Sequence, residues 1–204
     1  VPASGFFIVF EGIDGVGKTT QVKLLKDALE KQGRAVILSR EPTDGPWGRR
    51  IRESANTGRL SLDDELQAFI NDRTEHVRDL ILPAIGAGKV VILDRYYYST
   101  IAYQGSRGGD AEQVGAEMRR RFPAPDLVLL MDMDPKQAVH RIAHGRGEQP
   151  NEFERLEELE RVRAIFLSLD DPNIVVINAD QPGEKVHSDI MAAIIQPLRE
   201  DRAV

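Results

Sequence analysis

The stretch F-I-V-F-E-G-I-D-G-V-G-K-T-T, Phe7 to Thr20, limits what this chain can fold into more than any other. An apolar run, Phe6 to Phe10, breaks into a glycine-rich turn, and helix-compatible sequence follows from Lys18 to Gln32. The turn fits G-x-x-x-x-G-K-[ST], with Gly12, Gly17, Lys18 and Thr19 at the fixed positions. The glycines let the backbone curl until successive N–H groups point at one anion. The new helix turns its unpaired first N–H groups and its positive dipole end toward the same anion. Gly12, Ile13, Asp14, Gly15, Val16, Gly17, Lys18, Thr19 and Thr20 are thus expected to cradle the phosphates of a nucleoside triphosphate. Lys18 would reach the outer phosphates and Thr19 would hold a magnesium ion.

The rest of the chain supplies the scaffold such a loop needs. Short apolar runs at Ala35 to Ser39, Lys89 to Asp94, Asp126 to Met133 and Asn173 to Asn178 alternate with helical patterns. Ser61 and Asp64 form a capping-box pattern ahead of a helix with Leu66, Phe69, Ile70, Val77, Leu80 and Ile81 on one face. Pro83 is expected to kink or end that helix. A short helix is expected over Arg49 to Ala55, another around Ser99 to Gln104, and a closing one from Val186 to Ile195. Continuous apolar strands between helices imply a parallel sheet covered on both faces: one α/β domain over 1–204, five strands, ligands at their carboxyl ends. Functional residues should then gather at Glu11 to Thr19, Arg40 to Pro42, Asp94 to Tyr96 and around Asp132.

Composition removes several function classes. There are no cysteines, so disulfides and thiolate metal sites are excluded. A net charge of −6 argues against nucleic acid as the main partner, because phosphate-backbone binding needs a basic surface. No apolar run approaches the ~20 residues of a membrane span, and V-P-A-S-G lacks the pattern of a signal peptide, so no membrane partner and a cytoplasmic location are expected. The D-x-x-G and N-K-x-D signatures of a switch GTPase are missing. A small P-loop chain with arginines in its later loops suggests a phosphotransferase acting on a small anionic acceptor.

The chain resembles the thymidylate kinases over nearly its whole length. The resemblance rests on F-E-G-I-D-G-V-G-K-T-T-Q, on R-E-P (Arg40 to Pro42), on F-I-N-D-R (Phe69 to Arg73), on D-R-Y (Asp94 to Tyr96) and on S-T-I-A-Y-Q-G (Ser99 to Gly105). It implies the nucleoside-monophosphate kinase variant of the P-loop NTPase fold, and transfer of phosphate from ATP to dTMP with Mg²⁺ in a homodimer. It also implies residue roles. Arg95 holds the acceptor phosphate, Asp94 acts with Thr19 near the metal, and Phe69 stacks on the pyrimidine. Arg73 reaches base or phosphate, Asp14 takes the sugar 3′-hydroxyl, and Tyr103 and Gln104 sit beside sugar and base. Glu41 places its loop. The loop at about 143–151 resembles a lid over ATP. Because Gly15 and Val16 leave the phosphate loop without an arginine, the chain resembles the bacterial type with a lid arginine, Arg146 or Arg141. Lys18, Asp94, Arg95, Arg146 and Arg141 are the expected catalytic groups.

Bland readings stand beside these. Asp94 could cap the following helix, Phe69 could be plain core, and Tyr103 could simply pack. The His140 and His144 pair lacks an obvious third metal ligand. The chain also departs from the family at T-D-G-P-W-G-R-R after Pro42, where G-G-T is usual, and at E-R-L-E (Glu154 to Glu157), where D-R-x-E is usual. A kinase for another deoxynucleotide or small phosphorylated acceptor, and a nucleotide-dependent regulatory protein on a kinase fold, are the alternatives left open by the sequence.

Overall fold

The computed structural model describes residues 5–146 and 152–200, except for the side chains at 56, 144–146, 152–154, 196, 199 and 200. Its strands are β1 (Phe6–Glu11), β2 (Val36–Arg40), β3 (Val90–Asp94), β4 (Leu127–Asp132) and β5 (Ile174–Asn178). They pair in the order β2-β3-β1-β4-β5, every pairing parallel. Successive strand residues face opposite sides of a sheet, yet all of β1 is buried, as are β3 before Asp94 and β4 before Asp132. The three central strands are therefore covered on both faces, as their continuous apolar sequence requires. The edge strands are less buried, with Val176 of β5 exposed.

Helix α1 (Lys18–Lys31) presents Val22, Leu25 and Leu29 to the core at helical spacing and packs on β2, β3 and α9 (Gly183–Glu200). On leaving the sheet, β1 leads toward β2 while its neighbour β4 leads toward β5. Adjacent strands that depart toward opposite edges open a crevice at their carboxyl ends, and that crevice is where the phosphate loop lies. Gly12 lies beside β4 at φ 133°, where a Cβ would collide with the Met131 carbonyl.

Ser61 caps α3 (Leu62–His76) as expected, its Oγ accepting from the Asp64 N–H at 3.1 Å and donating to the Asp64 carboxylate at 2.7 Å. Pro83, however, does not end the helical run. The chain passes from α3 through a π-helical turn (Val77–Ile81) into α4 (Leu82–Gly86), with Pro83 in the first turn of α4. Proline lacks an N–H and crowds the carbonyl four residues back; a wider turn over that carbonyl, Asp79, accommodates both defects. Helix α2 (Pro46–Thr57) starts ahead of Arg49 because Pro46 suits a first helical turn, and Gly48 lets the helix abut the Thr43 backbone. The other helices are α5 (Tyr97–Ser106), α6 (Ala111–Arg121), α7 (Pro135–Arg146) and α8 (Glu152–Ser168). α9 is longer at both ends than Val186 to Ile195. Among the described residues no helix is long and apolar enough to cross a membrane.

Removing the α3 cap tests this local account. Ser61→Ala should destabilise the protein by about 1 kcal/mol. Thermal unfolding should then show a Tm about 2–4 °C lower, with activity at 25 °C unchanged.

Candidate active site

The phosphate loop is held open by its backbone. Gly15 and Gly17 adopt φ of 88° and 95°, and a Cβ on Gly15 would lie 2.6 Å from the Ala138 carbonyl of α7. No side chain caps α1 at Gly17, which leaves its positive end to an anion. Ile13 and Val16 bury their side chains in the core, so they can meet a phosphate only through backbone N–H groups, whereas Thr20 is exposed. The buried Lys18 donates from Nζ to the carbonyls of Gly12 (2.9 Å) and Ile13 (2.8 Å). Burial lowers its pKa and Arg95 adds to that, while Asp14, Asp94 and Glu11 pull it back, leaving it at about 8. Thr19 donates to the Asp94 carboxylate at 2.7 Å, so the first turn of α1 meets the end of β3.

Arg95 is the joint between this loop and the rest of the site. It adopts φ 74°, a left-handed conformation unusual for a side-chain-bearing residue, and its N–H donates to the Phe10 carbonyl at 2.9 Å. Its guanidinium donates to Asp14 (2.8 Å), to the Ser99 hydroxyl (2.8 Å) and to the Tyr103 hydroxyl (3.3 Å), and lies 5.1 Å from the Tyr103 ring. Burial disfavours its charge, but Tyr103, Asp14, Glu11 and Asp94 around it more than compensate, so it stays firmly protonated. Burial likewise works against ionised Asp14, and Arg95 and Lys18 outweigh it, holding the carboxyl at about 2.

Beyond Arg95 opens a cavity of about 380 Å³. Asp14, Glu41, Phe69, Arg73, Arg95 and Tyr103 all line it, six of the seven residues expected around an acceptor. Phe69 is half-buried on its wall, outside the core cluster, so the plain-core reading fails for it. Arg73 is 1% exposed and largely committed: it donates to Glu41 (2.8 Å), to Thr100 (3.0 Å) and to the Met118 sulfur (3.3 Å), between the rings of Tyr96 and Phe122. Glu41 shares its other oxygen with His76 at 3.0 Å, and His76 meets Ser39 at 2.8 Å. Gln104, the seventh residue, is buried behind the wall and donates to Glu65, which lines the cavity and also pairs with Arg59 and Arg107.

The remaining expectations distribute unevenly. Arg141 is exposed on α7, one residue from Ile142, which packs beside Gly15. The Arg146 side chain and residues 147–151 of the anticipated lid lie outside the described residues. Asp132 is committed to Arg163 of α8 through two hydrogen bonds of 2.7 and 2.8 Å, a tether between sheet and helix. Among the described residues no group of three metal-ligating side chains gathers. Two residues without an assigned role in the sequence do belong here: Glu11, fully buried at the end of β1, and Ser99, which bridges it to Arg95. Glu11 accepts from Tyr96 N–H (2.8 Å), Ser99 N–H (3.1 Å) and the Ser99 hydroxyl (2.5 Å). Burial drives its carboxyl up to about 7, against Arg95 and these donors. A charged residue closing an apolar strand was the available signal, since such burial requires partners.

The phosphate-loop turn, the protonated Arg95 at its rim and the open cavity beyond lie along one crevice. Comparison with known proteins agrees. The family model described as thymidylate kinase matches residues 10–190. A thymidylate kinase of Xanthomonas oryzae pv. oryzae (strain PXO99A) is 45% identical over 203 residues, covering 98% of this chain and 88% of that one. One from Xanthomonas campestris pv. campestris (strain B100) is 46% identical over 199 residues, 96% and 87% of the two chains. One from Desulfotalea psychrophila is 46% identical over 197 residues, 96% of each. The motifs, their placement around one crevice and these matches lead to one conclusion: the chain belongs to the thymidylate kinase family.

Proposed function

We propose that this chain transfers the γ-phosphoryl group of ATP to dTMP, giving dTDP and ADP. The observation that carries the reading is Arg95. It bonds the phosphate loop through Asp14 and lines the cavity that accepts the second ligand.

Bringing two polyanions together is first a problem of repulsion. The acceptor phosphate has a second pKa of about 6, so at neutral pH it is already a nucleophile and needs no general base. An acceptor oxygen attacks the γ-phosphorus as the bond to the ADP oxygen breaks, and the protein's task is alignment and charge neutralisation. Lys18 serves the donor phosphates, and Arg95 the acceptor phosphate. Phe69 offers a ring face to the base, Asp14 and Tyr103 border the sugar, and the Glu41–Arg73 pair closes the cavity beside the base. Arg146 on the lid at 143–151, with Arg141 beside it, is proposed to supply the remaining cation during transfer. Thr19 and Asp94 present hard oxygens 2.7 Å apart beside Lys18, a donor set that suits Mg²⁺. When bound, the ion neutralises phosphate charge. We also propose that two copies of this chain associate as a homodimer in the cytoplasm.

A coupled ADP-release assay with Mg-ATP against dTMP, dUMP, ribo-TMP, dCMP, dGMP and AMP tests the reading. dTMP should be strongly preferred, and Arg95→Ala should lower kcat/KM for dTMP by about 10²–10³-fold; brisk turnover on another acceptor instead would refute dTMP as the substrate. In the same assay Phe69→Ala should raise the KM for dTMP about 10-fold, through loss of one base-stacking contact, with kcat little changed. Chelation with EDTA should abolish turnover, and excess Mg²⁺ should restore it; full activity in EDTA would remove the metal from the scheme.

A further inference from the structure

Glu11 is a fully buried carboxylate that the scheme above leaves without a task. Burying an ionisable group is costly unless its oxygens are satisfied, so such a residue persists where something depends on it. One function is evident from the backbone. By accepting from the N–H groups of Tyr96 and Ser99, Glu11 caps the start of α5. A cap alone would need only one oxygen, and the second oxygen does something else.

Oε2 accepts the Ser99 hydroxyl proton at 2.5 Å, and the same hydroxyl oxygen accepts from Nη1 of Arg95 at 2.8 Å. A serine has one hydroxyl hydrogen. Committing it to Glu11 fixes the rotor, so that its lone pairs face the guanidinium. Arg95 meanwhile holds a left-handed backbone, φ 74°, that its Cβ disfavours. That conformation is held from both sides by the end of β1: Phe10 accepts the Arg95 N–H and Glu11 accepts the N–H of Tyr96. Strained conformations persist only where neighbours over-determine them. Among the described residues, the contacts of Arg95 to Ser99, Asp14 and Tyr103 use three of its five N–H groups, leaving the others for an anion.

We propose that Glu11 is a positioning residue for the acceptor phosphate, acting through Ser99 and the backbone on Arg95. The inference rests on the assignment of Arg95 to that phosphate. It has a sharp consequence, because thymidine offers the same base and sugar as dTMP without the phosphate. A defect transmitted through Arg95 must weaken dTMP and spare thymidine.

Glu11→Gln separates the two functions of the residue. The amide oxygen can still accept from Tyr96 and Ser99 N–H, while the amide nitrogen now faces Ser99 Oγ as a donor and turns the hydroxyl hydrogen toward Arg95. Ser99→Ala removes the bridge and keeps the backbone cap. The KM for dTMP, the KM for ATP and the inhibition constant of thymidine would be measured for wild type, both single variants and the double variant, with Tm recorded for each. Both single variants should raise the KM for dTMP about 10-fold or more, with ATP and thymidine within about 2-fold of wild type. The double variant should be no worse than the poorer single one, since both interrupt the same chain. Unchanged dTMP affinity in Glu11→Gln, or equal losses for dTMP and thymidine, would overturn the proposal and leave Glu11 a helix cap. A wild-type enzyme that ignores dTMP altogether would instead overturn the assignment of the acceptor, an outcome visible before any variant is made.

Discussion

The pairing of Arg95 with Asp14 at 2.8 Å ties the turn after β3 to the phosphate loop after β1, and the site depends on that closure. These strands are neighbours, with Phe10 opposite Asp94, so the two turns emerge side by side from the carboxyl edge of the sheet. A carboxylate in a phosphate loop is unfavourable toward the donor's own charge. Arg95 neutralises it, and Asp14 in turn holds the guanidinium where a second anion can reach it. Asp14 is half exposed and Arg95 mostly covered, so solvent screens the pair and its contribution to stability is modest. Its contribution is to geometry: two turns that could each move separately are fixed as one surface.

A second buried charge cluster closes the other end of the cavity. Glu41 follows β2, and its carboxylate is shared between Arg73 and His76 on α3. Such buried pairs rarely add net stability compared with apolar packing, but removing one partner strands the other and costs about 3–5 kcal/mol. The cluster therefore locks α3 to the sheet edge in one register. Phe69 lies one helical turn before Arg73, so the same lock sets the distance from the phenyl ring to the Arg95 end of the cavity. The two clusters act as the jaws of a gauge whose opening is set by β2, β3 and β1.

Much of this was legible in the sequence, for identifiable reasons. The phosphate loop reads directly because the pattern answers a backbone requirement, and both glycines it fixes, Gly12 and Gly17, adopt positive φ (133° and 95°). The buried strands read from their continuous apolar runs, while the seven residues expected around an acceptor came from the resemblance to a family, and six of them do line one cavity. Three features escaped. The π-helical turn before Pro83 is one way for a helical run to absorb a proline, and the sequence does not say that this way is taken rather than a kink or a stop. Gln104 lies behind the wall because Glu65, 39 positions earlier in the chain, captures its amide. Glu11 fell within the stretch expected to be functional but without a role of its own, and only the approach of Tyr96 and Ser99 shows where its oxygens go.

The same geometry explains how a chain of net charge −6 can receive two polyanions. Each cation in the crevice has its own anion before any ligand arrives: Arg95 has Asp14, Arg73 has Glu41, and Lys18 lies near Asp14, Asp94 and Glu11 while bonding only to carbonyls. Burial already weakens the hold of Lys18 on its proton, and the Arg95 charge weakens it further. An arriving phosphate reverses both effects, because it offers the ammonium a negative partner in place of two carbonyl oxygens and screens it from Arg95. Binding energy then comes from exchanging weak partners for strong ones among groups already in position. Such preorganisation favours an alignment of donor and acceptor that free arginines on a basic surface could not provide.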